Sequence, residues 1–240
     1  MSRDLGHRFR NGHHRQHGTI AGRAPSLAGH HREKVSGMAR TKDQAARRQQ
    51  LVSATIELIA DRGIEALTLA AIADRVGVSH RLVAYYYADL ESLVQEAHEA
   101  AVERYYWTRL QALDQVADPQ HRLLQLIHSG LPGQQDRQLS QVLNELSANA
   151  SRSRVHAQLM SQLFDREVSL YLSVLQEGQS AGAFRLSQPA LTLARNLVAL
   201  EDAYGFHLLA KVSSIDASTA LGALVGYART ATGAALLSPA

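Results

Sequence analysis

From Asp43 onward, apolar residues recur at helical spacing. Leu51, Thr55 and Leu58 form one row and Val52, Ile56 and Ile59 the next, the broad stripe of a core-facing helix that stops at Gly63. The following stretch, TLAAIADRVGVSHRLVAYYY, predicts two short helices. Thr68 is the expected N-cap of a two-turn helix over Leu69 to Val76, Gly77 supplies a left-handed stop, and Ser79 caps the helix after it. Two short helices joined by a tight glycine turn make a helix-turn-helix. Ile72, Val76, Val78, Val83 and Tyr86 fall where both helices and the turn must share a small core, and Ala73 is small where the helices cross. ADLESL then opens a longer helix with Asp89 as its cap, and apolar positions continue through Leu93, Val94, Ala97, Ala101, Val102, Tyr105 and Tyr106 until Pro119 interrupts that helix or its successor.

The remainder breaks at GLPGQQ, around Gly178 and Gly182, and at SSID, leaving apolar-periodic runs over residues 120–129, 137–150, 153–177, 188–211 and 217–236. No alternating strand signal, hairpin or internal repeat interrupts them. The predicted fold is all-α, with an N-terminal three-helix helix-turn-helix domain over residues 38–100 and a larger helical domain over 101–240. Residues 1–37 are rich in Arg, His and Gly, show no apolar period, and are read as a disordered basic arm. Ordered sequence starts just after Met38, so these 37 residues are expected to be an upstream extension from a misplaced start.

Composition narrows the chemistry. The 240 residues are 45% hydrophobic and contain no cysteine, so disulfides and thiolate metal sites are excluded. No apolar run reaches the roughly 18–20 residues of a membrane helix, and a cytoplasmic protein is expected. The net charge of +3 is uninformative as a total. It sits mostly in the arm, where Arg3, Arg8, Arg10, Arg15, Arg23, Arg32 and Lys34 face only Asp4 and Glu33, while the chain from Met38 carries slightly more acid than base. The pairs His13-His14 and His30-His31 lack further ligands at helical spacing, and no metal site or cofactor is predicted.

Over residues 43–100 the order of features resembles the tetracycline-repressor (TetR) family of bacterial transcription regulators: a helix, Gly63, a Thr-capped helix carrying IA, then GVS, a short aromatic helix and ADLESL. Beyond Glu103 the similarity is architectural. RNLVALEDAYGFHLL and the final helix are faintly similar to the ligand domain of betaine/choline-responsive repressors. The resemblance implies a homodimer whose helix-turn-helices enter successive major grooves of a double-stranded operator, and a C-terminal domain whose small-molecule effector releases the DNA. Two positions depart from the family pattern, Leu90 where a phosphate-touching Lys is common and Ala84 where a Tyr is common in the recognition helix. A basic arm around Arg40 and Lys42 could compensate.

Three adjacent tyrosines in a chain sparing of aromatics need a reason. Tyr86, in register with Val83, is expected to point inward, Tyr87 to pack against the fourth helix, and Tyr85 to face DNA, its phenol donating to a phosphate while the ring lies against sugar or a thymine methyl. The alternative, in which all three brace the junction, stays open. His80, Arg81 and Leu82 lie in the first turn of the recognition helix, the end that approaches base edges. Arg81 could fork onto guanine or touch a phosphate. The resemblance adds Thr68 and Ser79 as phosphate donors, and Arg47 and Arg48 on the first helix are further phosphate candidates.

An effector cavity is expected among the later helices, with Trp107, Phe164, Tyr171, Tyr204 and His207 as candidate contacts and Tyr105, Tyr106 and Phe206 as further aromatics at helical spacing. Glu201 and Asp202 sit on a largely apolar helix. They are expected to face solvent or a dimer rim, or alternatively to line a site for a cationic ligand with aromatic faces beside it. Leu193, Leu197, Leu200 and Leu208 on one helix, and Ala217, Leu221, Leu224, Val225 and Ala228 with Gly222 and Gly226 on the next, suggest a four-helix interface between two copies. Against a catalytic role, there is no nucleotide-cradling glycine loop, no HExxH spacing, no cysteine nucleophile and no glycine-flanked serine elbow. A helical interaction adaptor is the other rival, but it would not need the turn-and-cap geometry from Thr68 to Tyr87.

Overall fold

The computed structural model describes residues 27–114, 116–133 and 137–235, with side chains from Lys42 onward. The first 26 residues of the predicted arm, including His13 and His14, lie outside the described residues. Among the described residues the fold is all-α. Its helices are α1 (Leu27–Arg62), α2 (Leu69–Val76), α3 (His80–Tyr86), α4 (Leu90–Leu113), α5 (Pro119–Gly130), α6 (Arg137–Ala148), α7 (Arg154–Ser180), α8 (Ala190–Leu209) and α9 (Ala217–Thr232), with a 3-10 turn at Ile64–Ala66. No described helix is long and apolar enough to cross a membrane. The chain divides into compact units at Met1–Gln44 and Ala45–Ala240. In the first of these, α1 begins at Leu27, earlier than the apolar pattern from Asp43 predicts. Helix-favouring Glu33, Lys34, Ala39 and Arg40 explain how that segment can be helical without an apolar stripe to announce it.

In the second unit, local chemistry sets the helix ends. The Thr68 hydroxyl accepts from the Ala71 amide at 3.0 Å and opens α2. Gly77, at φ 72°, closes it in the left-handed region, and the Val78 amide returns to the Ala73 carbonyl. Ser79 caps α3 by accepting from the Leu82 amide, Asp89 caps α4 through Ser92, and Asp118 caps α5 with Pro119 in its first turn. Thr68→Ala should therefore lower stability by about 1 kcal/mol, with Thr68→Ser nearly neutral. Urea melts of the three proteins measure this, and equal midpoints would mean the cap contributes nothing.

Two apolar cores follow. The first joins Leu51, Leu58 and Ile59 of α1, Ile72 and Ala73 of α2, Val83 of α3 and Leu93, Ala97 and Ala101 of α4 to Leu139, Val142 and Leu146 of α6. The second packs α5, α7, α8 and α9 around Leu123, Ile127, Tyr171, Leu175, Leu197 and Leu224. α4 runs through both without a break at residue 100, and α6 contributes its buried residues to the first core.

The tyrosine triplet differs from expectation in depth. Tyr87 is the buried one, Tyr86 only half-buried against the same core, because the chain turns extended at Tyr87 (φ −134°) and tucks that ring beneath α1. The Arg48 guanidinium lies 4.8 Å over it. α9 ends at Thr232 because Gly233, at φ 64°, caps it in the left-handed region.

Candidate DNA-reading face and effector cavity

α3 presents one solvent side. Ser79, His80, Arg81 and Tyr85 are exposed, Tyr85 at 71%, while Leu82 is half-buried and Val83 fully buried. Arg81 and Tyr85 are four residues apart and so project from the same side of the helix. Ser79 and Thr68 use their hydroxyl oxygens as acceptors for the caps, which leaves each O–H free to donate outward. Of the two α1 arginines, Arg47 donates to Gln50 at 2.6 Å. Arg48 is more committed, pairing with Glu96 of α4 at 2.7 Å while stacking on Tyr87. Arg75 likewise bridges α2 to Glu57 and Asp61 of α1.

Arg109 is 1% exposed, and what surrounds it organises the second unit. From α4 its guanidinium donates to Glu167 of α7, to both carboxylate oxygens of Glu201 on α8 at 3.1 and 3.0 Å, and to the Leu126 carbonyl of α5 at 3.2 Å. The Tyr171 hydroxyl donates to Glu201, and the rings of Tyr105 and Tyr171 flank the cation with centroids 5.6 and 5.7 Å away. One buried cation against two buried carboxyls leaves an excess of acid. Burial pushes Glu167 up to about 8 and Glu201 up to about 7, with Arg109 opposing the shift in both. Gly130 lies so close that a Cβ there would fall 2.0 Å from the Glu201 carboxylate, so a glycine is required for this approach.

Above the cluster is a cavity of about 520 Å³. Glu167 and Glu201 form its floor with Tyr105, and Leu143, Asn144 and Ser147 of α6 and Met160, Leu163 and Phe164 of α7 form its walls. Among the residues lining it, Asp202, Ala203 and Phe206 are the exposed ones, so the mouth opens on the outer side of α8. Of the predicted aromatic contacts, Phe164 and His207 line the space, and the His207 Nδ1 is buried with no hydrogen-bond partner. Tyr171 lies under the floor. Tyr204 packs into the second core instead of the cavity wall. Trp107 is 52% exposed and donates to Glu103 at 3.0 Å. It falls two residues from both Tyr105 and Arg109, on the opposite side of α4. Glu201, expected at solvent or a dimer rim, is 2% exposed. Leu193, Leu197, Leu224, Val225 and Ala228, expected at the interface between copies, are spent inside the chain's own core.

A family model described as bacterial regulatory proteins, tetR family, matches residues 51–97, the span from the α1 stripe through the start of α4. The HTH-type transcriptional repressor KstR2 of Mycolicibacterium smegmatis is 23% identical over 141 residues, 59% of this chain and 69% of that protein. The HTH-type transcriptional regulator BetI 1 of Chromohalobacter salexigens is 41% identical over 54 residues, 22% of this chain and 27% of the relative. Among solved structures, a transcriptional regulator from Saccharomonospora viridis in complex with choline superposes with a TM-score of 0.72 at 23% identity, covering 76% of this chain and 95% of that one. A TetR transcription regulator from Haloarcula marismortui reaches 0.70 at 23% identity, over 80% and 99%. The match to the tetR family covers the helix-turn-helix, residues 51–97, and the solved structures share the all-helical fold beyond it. The helix-turn-helix is legible from its caps, whereas nothing in the sequence reading singles out Arg109 and Glu167. Both stand in core register, Arg109 in the series Val102, Tyr105, Arg109, Leu113 and Glu167 in Leu163, Glu167, Leu170, Val174. A charge on such a stripe is a signal that could have found them.

Proposed function

We propose that this chain is a dimeric TetR-family repressor that reads a double-stranded operator through α3 and is released when a small organic cation enters the cavity. Residues 38–100 then act as the DNA-binding domain and 101–240 as the effector and dimerisation domain. The observation that carries the effector class is the charge of the cavity: Glu167 and Glu201 reach it against the single guanidinium of Arg109, with Tyr105 and Phe164 supplying ring faces. Such a lining suits a compact cation through carboxylate attraction and cation–π contact. The choline complex of the S. viridis regulator supports the same class. Release follows from shared walls, because Leu143 of α6 belongs both to the cavity and to the core that seats α1 to α4.

Electrophoretic shift of DNA from upstream of the gene, repeated with choline at millimolar concentration, tests this. Retention at all DNA fragments equally, or binding indifferent to cations, would sink it. The pH dependence has a definite sign. A bound cation favours the ionised carboxyls, so choline affinity should rise as pH increases through about 7 to 8, with proton release on binding. Calorimetry in buffers of different ionisation enthalpy reads that proton directly.

A further inference from the structure

The outer side of α8 carries Leu191, Arg195, Ala199, Asp202 and Phe206, all exposed. At helical pitch these five fall within about 80° of arc, while Leu193, Ala194, Leu197, Val198, Glu201 and Gly205 bury the other side. Leu191 and Phe206 are large apolar side chains left 41% and 53% exposed. Neither Arg195 nor Asp202 has an ion-pair partner among the described residues.

The order along this stripe is self-complementary. When two copies of a helix pack antiparallel about a two-fold axis, every residue faces one equally far beyond the same midpoint. Leu191 and Phe206 share a midpoint between Val198 and Ala199, and so do Arg195 and Asp202. A single placement of the axis therefore sets apolar against apolar at both ends and arginine against aspartate inside them, with the small Ala199 at the centre, where the backbones come closest. Beside α8, the Cβ positions of Gly222 and Gly226 on α9 meet nothing within 4 Å, and Asn196 holds Tyr227 at 2.8 Å, so the neighbouring face is low and fixed.

This same stripe ends at the cavity. Asp202 and Phe206 belong to the mouth. We propose that a second copy of this chain seats antiparallel on α8, so that its Leu191 covers Phe206 and its Arg195 neutralises Asp202, and that each effector cavity is completed by the opposite subunit. The proposal rests on the dimer reading above and adds to it the axis, the pairs and the shared site. It also assigns Asp202 to the interface, leaving Glu167 and Glu201 to meet the ligand.

The absence of cysteine gives a clean test. Within one α8, positions 191 and 206 are about 22 Å apart, well beyond disulfide reach. The full chain carrying Leu191→Cys with Phe206→Cys should oxidise to a covalent dimer on a non-reducing gel, and either substitution alone should not. Charge reversal checks the inner pair by sedimentation equilibrium. Arg195→Asp or Asp202→Arg alone places like charges together twice and should weaken dimerisation roughly 10-fold, and the double reversal should restore it. For the cavity, Ala203→Cys at the mouth should resist a water-soluble maleimide in the dimer and label freely once Arg195→Asp is added. A wild-type dimer that fails to cross-link, or reversals that do not compensate, overturns this pairing while leaving the dimer standing. Equal labelling of the mouth in both backgrounds overturns the shared cavity. A monomeric wild type removes the dimer reading itself.

Discussion

Arg109→Met lowers the unfolding free energy by about 3–5 kcal/mol, the range expected when one partner of a buried ion pair is removed and its counter-charges remain. The reason lies in what the guanidinium satisfies. Its loss strands Glu167 and Glu201 at 5% and 2% exposure, leaves the Leu126 carbonyl without that donor, and empties the space between the Tyr105 and Tyr171 rings. Methionine restores some packing but no hydrogen bond. The pH course follows from sign. Both carboxyls have folded pKa values above their unfolded ones, so each favours folding below about 4.5 and loses that contribution as pH rises toward about 8 for Glu167 and about 7 for Glu201. Without Arg109 the two groups are pushed higher still, and the deficit of the variant should widen between pH 5 and pH 8. Urea unfolding at those two pH values measures it. A deficit of the same size at both would show that ionised carboxylates are not what Arg109 holds. Adding Glu167→Gln and Glu201→Gln to Arg109→Met should recover much of the loss at pH 8, since no buried charge then remains unpaired.

That cluster also marks the boundary of what the sequence discloses. Caps and turns are decided within three or four residues, so Thr68, Gly77, Ser79 and Asp89 could be read directly, and α2 lies where they put it. Helix runs after residue 119 were legible for the same reason, with α7 extending to Ser180 and α9 stopping at Thr232. Depth was not. Tyr86 and Tyr87 are adjacent, and which one is buried depends on the extended turn after α3 and on Arg48 arriving from α1. Partnership was less legible still. Glu201 was recognisable as anomalous on an apolar helix, but its counter-ion lies 92 residues away on α4, and no local spacing joins them. The same limit applies to Trp107, whose aromatic character suggested a pocket while its angular position on α4 turned it to solvent.

Arg81→Ala is expected to weaken operator binding roughly 10- to 100-fold and to relax the preference at one base position if the guanidinium forks onto guanine. The two readings of Arg81 separate cleanly in salt. A base contact leaves the slope of log affinity against log salt nearly unchanged, whereas a phosphate contact lowers it by about 1 and weakens all sequences alike. Tyr85 provides the companion measurement. At 71% exposure its ring contributes little to the fold, so its replacement reports on DNA rather than stability. Tyr85→Phe should lose binding if the phenol donates to phosphate, and Tyr85→Ala should lose more if the ring also packs on sugar or a thymine methyl. Ser79→Ala removes a cap and an outward O–H together, and Ser79→Asp retains the cap while placing a negative charge toward the duplex. An aspartate variant that folds normally yet fails to shift DNA would place the N-terminus of α3 against the phosphates. If that variant and Arg81→Ala both bind DNA as the wild type does, α3 is not the reading helix, since its exposed side would then carry no part of the affinity.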